Sequence, residues 1–175
     1  MIFLDTETTG LIKNAALPLD RQPHIIEIGC IKDPVPKGKK KYFSATFNPG
    51  VKLDPIITKI TGLTDADLAD CPPFSDVLPD LCNFFLGETS MVAHNMPFDL
   101  GMLVFEMRRE SAQYNFPWPS NHIDTIDLAK PHYGGKFMKL KLLYEDLIGP
   151  CEQKHRAVDD AEMLMKVYHA LMVWK

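Results

Sequence analysis

With 175 residues, 46% hydrophobic and 24% charged, the chain has the composition of a globular domain and lies outside the disordered range. Nineteen basic against twenty-three acidic residues leave a formal charge of −4, a balance that by itself counts against a general phosphate-backbone binder. Four scattered cysteines form no C-x-x-C pair, there is no secretory signal, and no apolar run is long enough for a membrane span. A soluble, cytoplasmic protein with reduced, packed thiols is expected.

In chain order, Met1–Leu4 is a strand-like run leading into Asp5-Thr6-Glu7-Thr8-Thr9-Gly10. Two prolines and polar side chains make 11–23 a loop, and the β-rich 24–31 follows as a second strand. Residues 33–41 read as a solvated hairpin connection. Their lysines at 37, 39, 40 and 41 are turn residues on this reading and a phosphate grip on the other. Phe43, Ala45 and Phe47 alternate on one face of a third strand over 42–47.

Beyond Asn48-Pro49-Gly50 the pattern turns helical. Val77, Leu78, Leu81, Phe84 and Phe85 recur at helical spacing within 74–86, and 90–93 is a short buried strand running into His94-Asn95. From Pro97, a helix places Leu100, Leu103, Val104 and Met107 at i, i+3, i+4 and i+7, with Asn95 as its expected cap. A loop over 115–121 carries Trp118, which packs on its own domain or stacks on a base. A last strand is expected over 122–125 and helices over about 139–148 and 157–173. Early strands, with helices between the later ones, indicate an α/β sheet covered by helices, as a single domain over 1–175.

Three acidic segments carry the chemistry. Asp5 and Glu7, two apart on a strand, share a face about 6.5–7 Å apart. Such oxygen ligands suit Mg²⁺ or Mn²⁺, although alone the pair reads more readily as solvated carboxylates. Asp99 falls in the first turn of its helix, where the macrodipole favours an ionised carboxylate. At the head of the last helix, Asp160, Leu164, Val167 and Leu171 fall on one face, so that an acid ends an apolar stripe. Asp159 and Glu162 point elsewhere, and His155 precedes the helix on a loop.

Together, Asp5-Thr6-Glu7-Thr8-Thr9-Gly10, His94 to Asp99 and His155 to Asp160 resemble the three motifs of the DEDDh (DnaQ-like) 3′→5′ exonucleases, in family order. This is the superfamily of the proofreading subunit of bacterial replicative polymerases. The five-residue step from His155 to Asp160 marks the histidine subtype. Weaker matches are Ile26-Glu27-Ile28-Gly29, Ile60-Thr61-Gly62-Leu63 and Asp124-Thr125.

The resemblance implies a ribonuclease H-like fold with a mixed five-stranded sheet. It also implies hydrolysis of phosphodiester bonds with two divalent ions, Mg²⁺ or Mn²⁺, held by Asp5, Glu7, Asp99 and Asp160. His155 would be the general base, on a loop that swings in with substrate and stands displaced without it; imidazole suits the role because it titrates near neutrality. Thr8 and Thr9 would meet the terminal 3′-OH, and Leu11 and Ile60 would wedge against the terminal bases. His94, Asn95 and Phe98 would line the phosphate and sugar side.

The implied partner is a single-stranded nucleic-acid 3′ end, with DNA favoured over RNA. A freestanding repair, recombination or phage-type enzyme, or an excised domain, is expected, because the chain stops soon after its last helix. The alternatives are an exoribonuclease and a non-catalytic binding module on the same fold. Two bound divalent ions would offset the whole of the formal charge.

Overall fold

Alternation along the first strand sets the two faces of the sheet. In β1 (Ile2–Thr8), Ile2 and Leu4 enter one core while Phe3 enters the other, so that Asp5 and Glu7 share the Phe3 face and Thr6 the opposite one. The computed structural model describes residues 1–34 and 38–174. β2 (Ile25–Lys32) pairs antiparallel with β1, and β3 (Lys41–Thr46) pairs antiparallel with β2. β4 (Ser90–Ala93) and β5 (Asn121–Asp124) add on the other side of β1 as parallel strands. The order β3-β2-β1-β4-β5 makes the expected mixed five-stranded α/β sheet.

Helices cover both faces. α1 (Pro55–Thr61) and α2 (Asp65–Ala69) follow β3 and are capped by Asp54 and by a Thr64–Asp67 capping box. α3 (Phe74–Phe85) and α4 (Met96–Arg109) pack Leu81, Phe85, Met102 and Leu103 against Ile2 and Leu4. On the opposite face lie α5 (Thr125–Ala129), α6 (Leu140–Leu147) and α7 (Ala157–Val173). There Leu143, Leu164, Val167 and Leu171 meet Phe3, Ile31 and Val92. Burying Phe3 alone contributes roughly 1.5–3 kcal/mol. No helix among the described residues is long and apolar enough to cross a membrane.

The structure differs from expectation at local points. Thr125 leaves the last strand to open α5, because Asp124 accepts a hydrogen bond from Ile126 N and caps the turn. Trp118 packs on Phe116 at 4.6 Å and donates its indole N–H to the Gln113 carbonyl. Lys39, Lys40 and Lys41 are exposed, and Lys37 lies outside the described residues. All four cysteines are free, and only Cys30 is fully buried.

The decisive contact is between β2 and α7. Gly29 lies opposite Asp5 in the ladder, and the first turn of α7 rests directly on it. A Cβ there would stand 2.2 Å from the Ala157 carbonyl carbon and 2.2 Å from Val158 N. Those neighbours are backbone, which has no rotamer to yield. Gly29→Ala is therefore expected to destabilise by about 3 kcal/mol, at the upper end of ordinary overpacking. The corresponding fall in Tm is roughly 6–12 °C for a domain of this size. Thermal unfolding beside the wild type checks it, and an unchanged Tm would contradict the packing.

Candidate active site

Each acid reaches the same sheet edge from a different element. Asp5 and Glu7 come from the end of β1, facing α7, and their ladder partners are Gly29 and Glu27. Glu27 is 1% exposed, between Ile26 and Ile28 of β2. Both of its oxygens accept from Arg156 Nε at 3.0 Å, and one also accepts from Ala157 N at 3.1 Å. It is at once an ion-pair partner and the cap that α7 otherwise lacks, since Arg156 offers no side-chain cap. This grip sets Asp160, in the first turn, over Glu7. One oxygen of Asp160 accepts from Gln153 Nε2 at 2.9 Å. The other, Oδ1, is buried and has no hydrogen-bond partner.

Asp99 arrives from the α4 side. It is buried, and its Oδ1 accepts from Thr6 Oγ1 at 2.7 Å, so the side chain between Asp5 and Glu7 fixes the acid from the far face. Asn95 was the expected cap of this helix, but its backbone is left-handed (φ 75°) and its side chain makes no capping bond. Asp124 does the work instead, accepting from Asn95 N at 3.0 Å and Met96 N at 3.1 Å while also capping α5. One carboxylate thus ties β5 to two helix starts.

His155 was expected to stand displaced in the absence of nucleic acid. It sits instead at the site, where Glu7, His155 and Asp160 present ligand atoms within 4.8 Å of one another. Its left-handed backbone (φ 50°) turns the ring inward just before α7. Asp5 and Asp99 lie outside this triad but within its electrostatic reach.

His94 departs from expectation. Its Nε2 is 2.9 Å from the Met138 carbonyl, which can only accept, so Nε2 donates and Nδ1 accepts from the Thr125 hydroxyl at 2.9 Å. Burial holds the ring below its ordinary pKa, with the Met138 bond opposing. Both nitrogens are occupied internally, and neither is free for a phosphate.

A cavity of about 500 Å³ opens beside Glu7. Five expected contacts, Thr8, Thr9, Leu11, Ile60 and Phe98, line it, whereas His94 and Asn95 do not. Leu11 is 75% exposed at its rim. Thr8 Oγ1 donates to the Gly10 carbonyl and Thr9 Oγ1 accepts from His24 N, so both hydroxyls shape the turn. Ile56 and Lys13 also line the cavity. Ile56 was legible as the i+4 neighbour of Ile60, but nothing local singled out Lys13.

Electrostatically the site is strained by like charge. Burial, then Asp99, Asp160 and Glu7, holds the Asp5 carboxyl well above the usual range. Burial and the nearby Asp160 and Glu27 push Glu7 up to about 8. Burial raises Asp99 to about 7 against the Thr6 hydrogen bond, and it raises Asp160 against the Gln153 bond. Four converging carboxylates with an orphaned buried oxygen fit a hard divalent cation.

The family model described as Exonuclease (RNase T) matches residues 2–168. DNA polymerase III subunit epsilon of Pasteurella multocida is 33% identical over 171 residues, covering 95% of this chain and 66% of that protein. The chain therefore spans about two-thirds of this relative. Among solved structures, Exonuclease X in complex with 5′ overhanging duplex DNA superposes with a TM-score of 0.66 at 24% identity, over 99% of this chain and 93% of that one. A 3′-exonuclease in a structure of 3′-end-specific recognition of histone mRNA stem-loop gives 0.75 at 16% identity, over 97% and 62%. These likenesses establish the fold.

A carboxyl group whose pKa is raised by folding keeps its proton longer than in the unfolded chain. Its stability contribution is full below the unfolded value and drains as pH rises through the folded one. Glu7 and Asp99 place that window between about pH 4 and 8. In EDTA, Tm should fall from pH 5 to pH 8. Asp160→Asn should flatten the slope, and Mg²⁺ should restore Tm at pH 8. Calorimetry across that range checks it, and a flat wild-type profile would contradict it.

Proposed function

The chain belongs to the DEDDh (DnaQ-like) 3′→5′ exonuclease family, and on that footing we propose that it removes nucleotides from the 3′ end of single-stranded DNA as nucleoside 5′-monophosphates. The observation that carries the reading is the convergence of Glu7, His155 and Asp160 beside a cavity large enough for a terminal nucleotide. Asp5, Glu7, Asp99 and Asp160 would hold two divalent ions, Mg²⁺ or Mn²⁺, which when bound neutralise the reacting phosphate and supply an activated water.

The chain's own residues do the rest. His155 takes the proton of the attacking water at a ring nitrogen, held beside Glu7 and Asp160. Leu11, Ile56, Ile60 and Phe98 provide apolar walls for the terminal base and sugar, which reads shape rather than sequence. Backbone groups at Thr8 and Thr9 meet the 3′-OH, so that only an end fits. His94 holds a neighbouring loop in place, and phosphate contact is left to other groups. Asn95 stands exposed outside the cavity as a phosphate- and sugar-side contact.

Likeness to a DNA polymerase III subunit supports DNA over RNA. It also supports proofreading or repair, with a polymerase or repair protein as partner and a cytoplasmic setting. All four carboxylates and the histidine are present, which favours an enzyme over a binding module.

The test is a 5′-labelled and a 3′-labelled single strand incubated with Mg²⁺, Mn²⁺ or EDTA. Stepwise shortening from the 3′ end, abolished by EDTA, is expected; degradation that survives EDTA would overturn the metal reading. His155→Ala should lower kcat by roughly 10²–10⁴, the usual worth of a general base, and near-full turnover would remove it from that role. A matched RNA strand decides the sugar preference.

A further inference from the structure

Between α5 and α6 the chain reverses its overall charge. From Lys130 to Lys141 there are four lysines and no acidic residue. Lys130 pairs with Asp127 at 2.7 Å and Lys141 with Glu145 at 3.9 Å. Lys136 and Lys139, both exposed, have no carboxylate partner among the described residues. Between them stands Phe137, 61% exposed.

This segment is held in place. Left-handed backbone at Gly134 and Gly135 (φ 62° and 81°) turns the chain back after the 3₁₀ turn Lys130–Tyr133. The bond from His94 Nε2 to the Met138 carbonyl then fastens the segment to the residue that follows β4. Phe137 meets the His94 ring edge-on, with centroids 6.3 Å apart and planes at 61°. β4 neighbours β1 and runs parallel to it, so the loop and the carboxylates share one edge of the sheet. The terminal-nucleotide cavity, walled by α1 and the loop after β1, is lined by none of the residues from Lys130 to Lys141.

An aromatic left in water forgoes the burial that every core aromatic gains. Here it is flanked by two uncommitted cations beside a cluster of phosphodiester-cleaving type. A ring for a base face and ammonium groups for the phosphates on either side make up the chemistry of a single-strand binding surface.

We propose that Lys136, Phe137 and Lys139 form a strand-binding wall, on which Phe137 stacks against a base at least two nucleotides to the 5′ side of the scissile phosphate while the two lysines neutralise neighbouring phosphates. The proposal rests on the nucleic-acid reading above and extends it beyond the terminal nucleotide. It makes the enzyme sensitive to the length of the strand and indifferent to its sequence.

The test compares a thymidine 12-mer, long enough to reach the wall, with a thymidine dinucleotide, which has a single nucleotide on the 5′ side of the scissile phosphate and stops short of it. In Phe137→Ala, the ratio of kcat/KM on the 12-mer to that on the dinucleotide should fall roughly five- to hundredfold, the range for loss of one stacked base. In the double variant Lys136→Ala, Lys139→Ala, the salt slope of log kcat/KM on the 12-mer should shrink by about 1.4, from two lost phosphate contacts. An unchanged ratio and an unchanged slope would overturn the wall. Wild type inactive on both substrates would instead sink the exonuclease reading. Anisotropy of a labelled 12-mer then decides the wall by itself: weaker binding in Phe137→Ala supports it, and equal Kd overturns it.

Discussion

The seating of α7 on β2 is the contact on which the site depends. Two residues of one strand make it, by opposite means. Gly29 contributes empty space, so that the backbone of Ala157 and Val158 can lie where a side chain would otherwise be. Glu27 contributes a buried carboxylate that grips Arg156 and caps the helix. Both stand directly across the ladder from the acids of β1, Gly29 opposite Asp5 and Glu27 opposite Glu7. The position of Asp160 and His155 over β1 is thus inherited from the strand beside it. Without either residue, the last helix would have no reason to stop at the register that brings its acid to the edge.

The same device loads the site with charge. Glu27 is neutralised by Arg156, whereas Asp5, Glu7, Asp99 and Asp160 form no salt bridge among the described residues, and burial raises the pKa of all four despite Arg156 near Glu7 and His155 near Asp160. The hydrogen bonds from Thr6 and Gln153 hold two of them in place without discharging them. Rigid support combined with unrelieved repulsion is the arrangement expected of groups that wait for an external cation. The formal charge of −4 therefore describes where negative charge is stored more than what the surface avoids. The lysines at 136 and 139 keep positive charge at the same edge.

Much of this was legible in the chain. The apolar stripe Leu164, Val167 and Leu171 placed Asp160 on the packed face of α7, and period-two alternation put Asp5 and Glu7 together, because both depend on local geometry. The supports were less legible. Glu27 stood out only as part of the weaker match Ile26-Glu27-Ile28-Gly29, with no role attached, although a carboxylate between isoleucines is itself a sign of a buried partner. That partner is 129 residues away. Asn95 had the right chemistry for a cap, but its left-handed backbone aims the side chain elsewhere, and an acid from β5 took the role. For His94, a motif position suggested a phosphate contact, whereas the tertiary fold supplied partners for both ring nitrogens. Each miss concerns a bond that closes only once distant strands are adjacent.

Those separations bear on when the protein becomes active as well as on how. Thr6 waits for Asp99, 93 residues later, and Glu27 waits for Arg156, 129 residues later. During synthesis the chain emerges from its first strand onward. Asp5 and Glu7 are made well before the helix that completes their surroundings. Any chain cut short before α7 therefore carries the first three acids of the site but neither Asp160 nor His155 held over them.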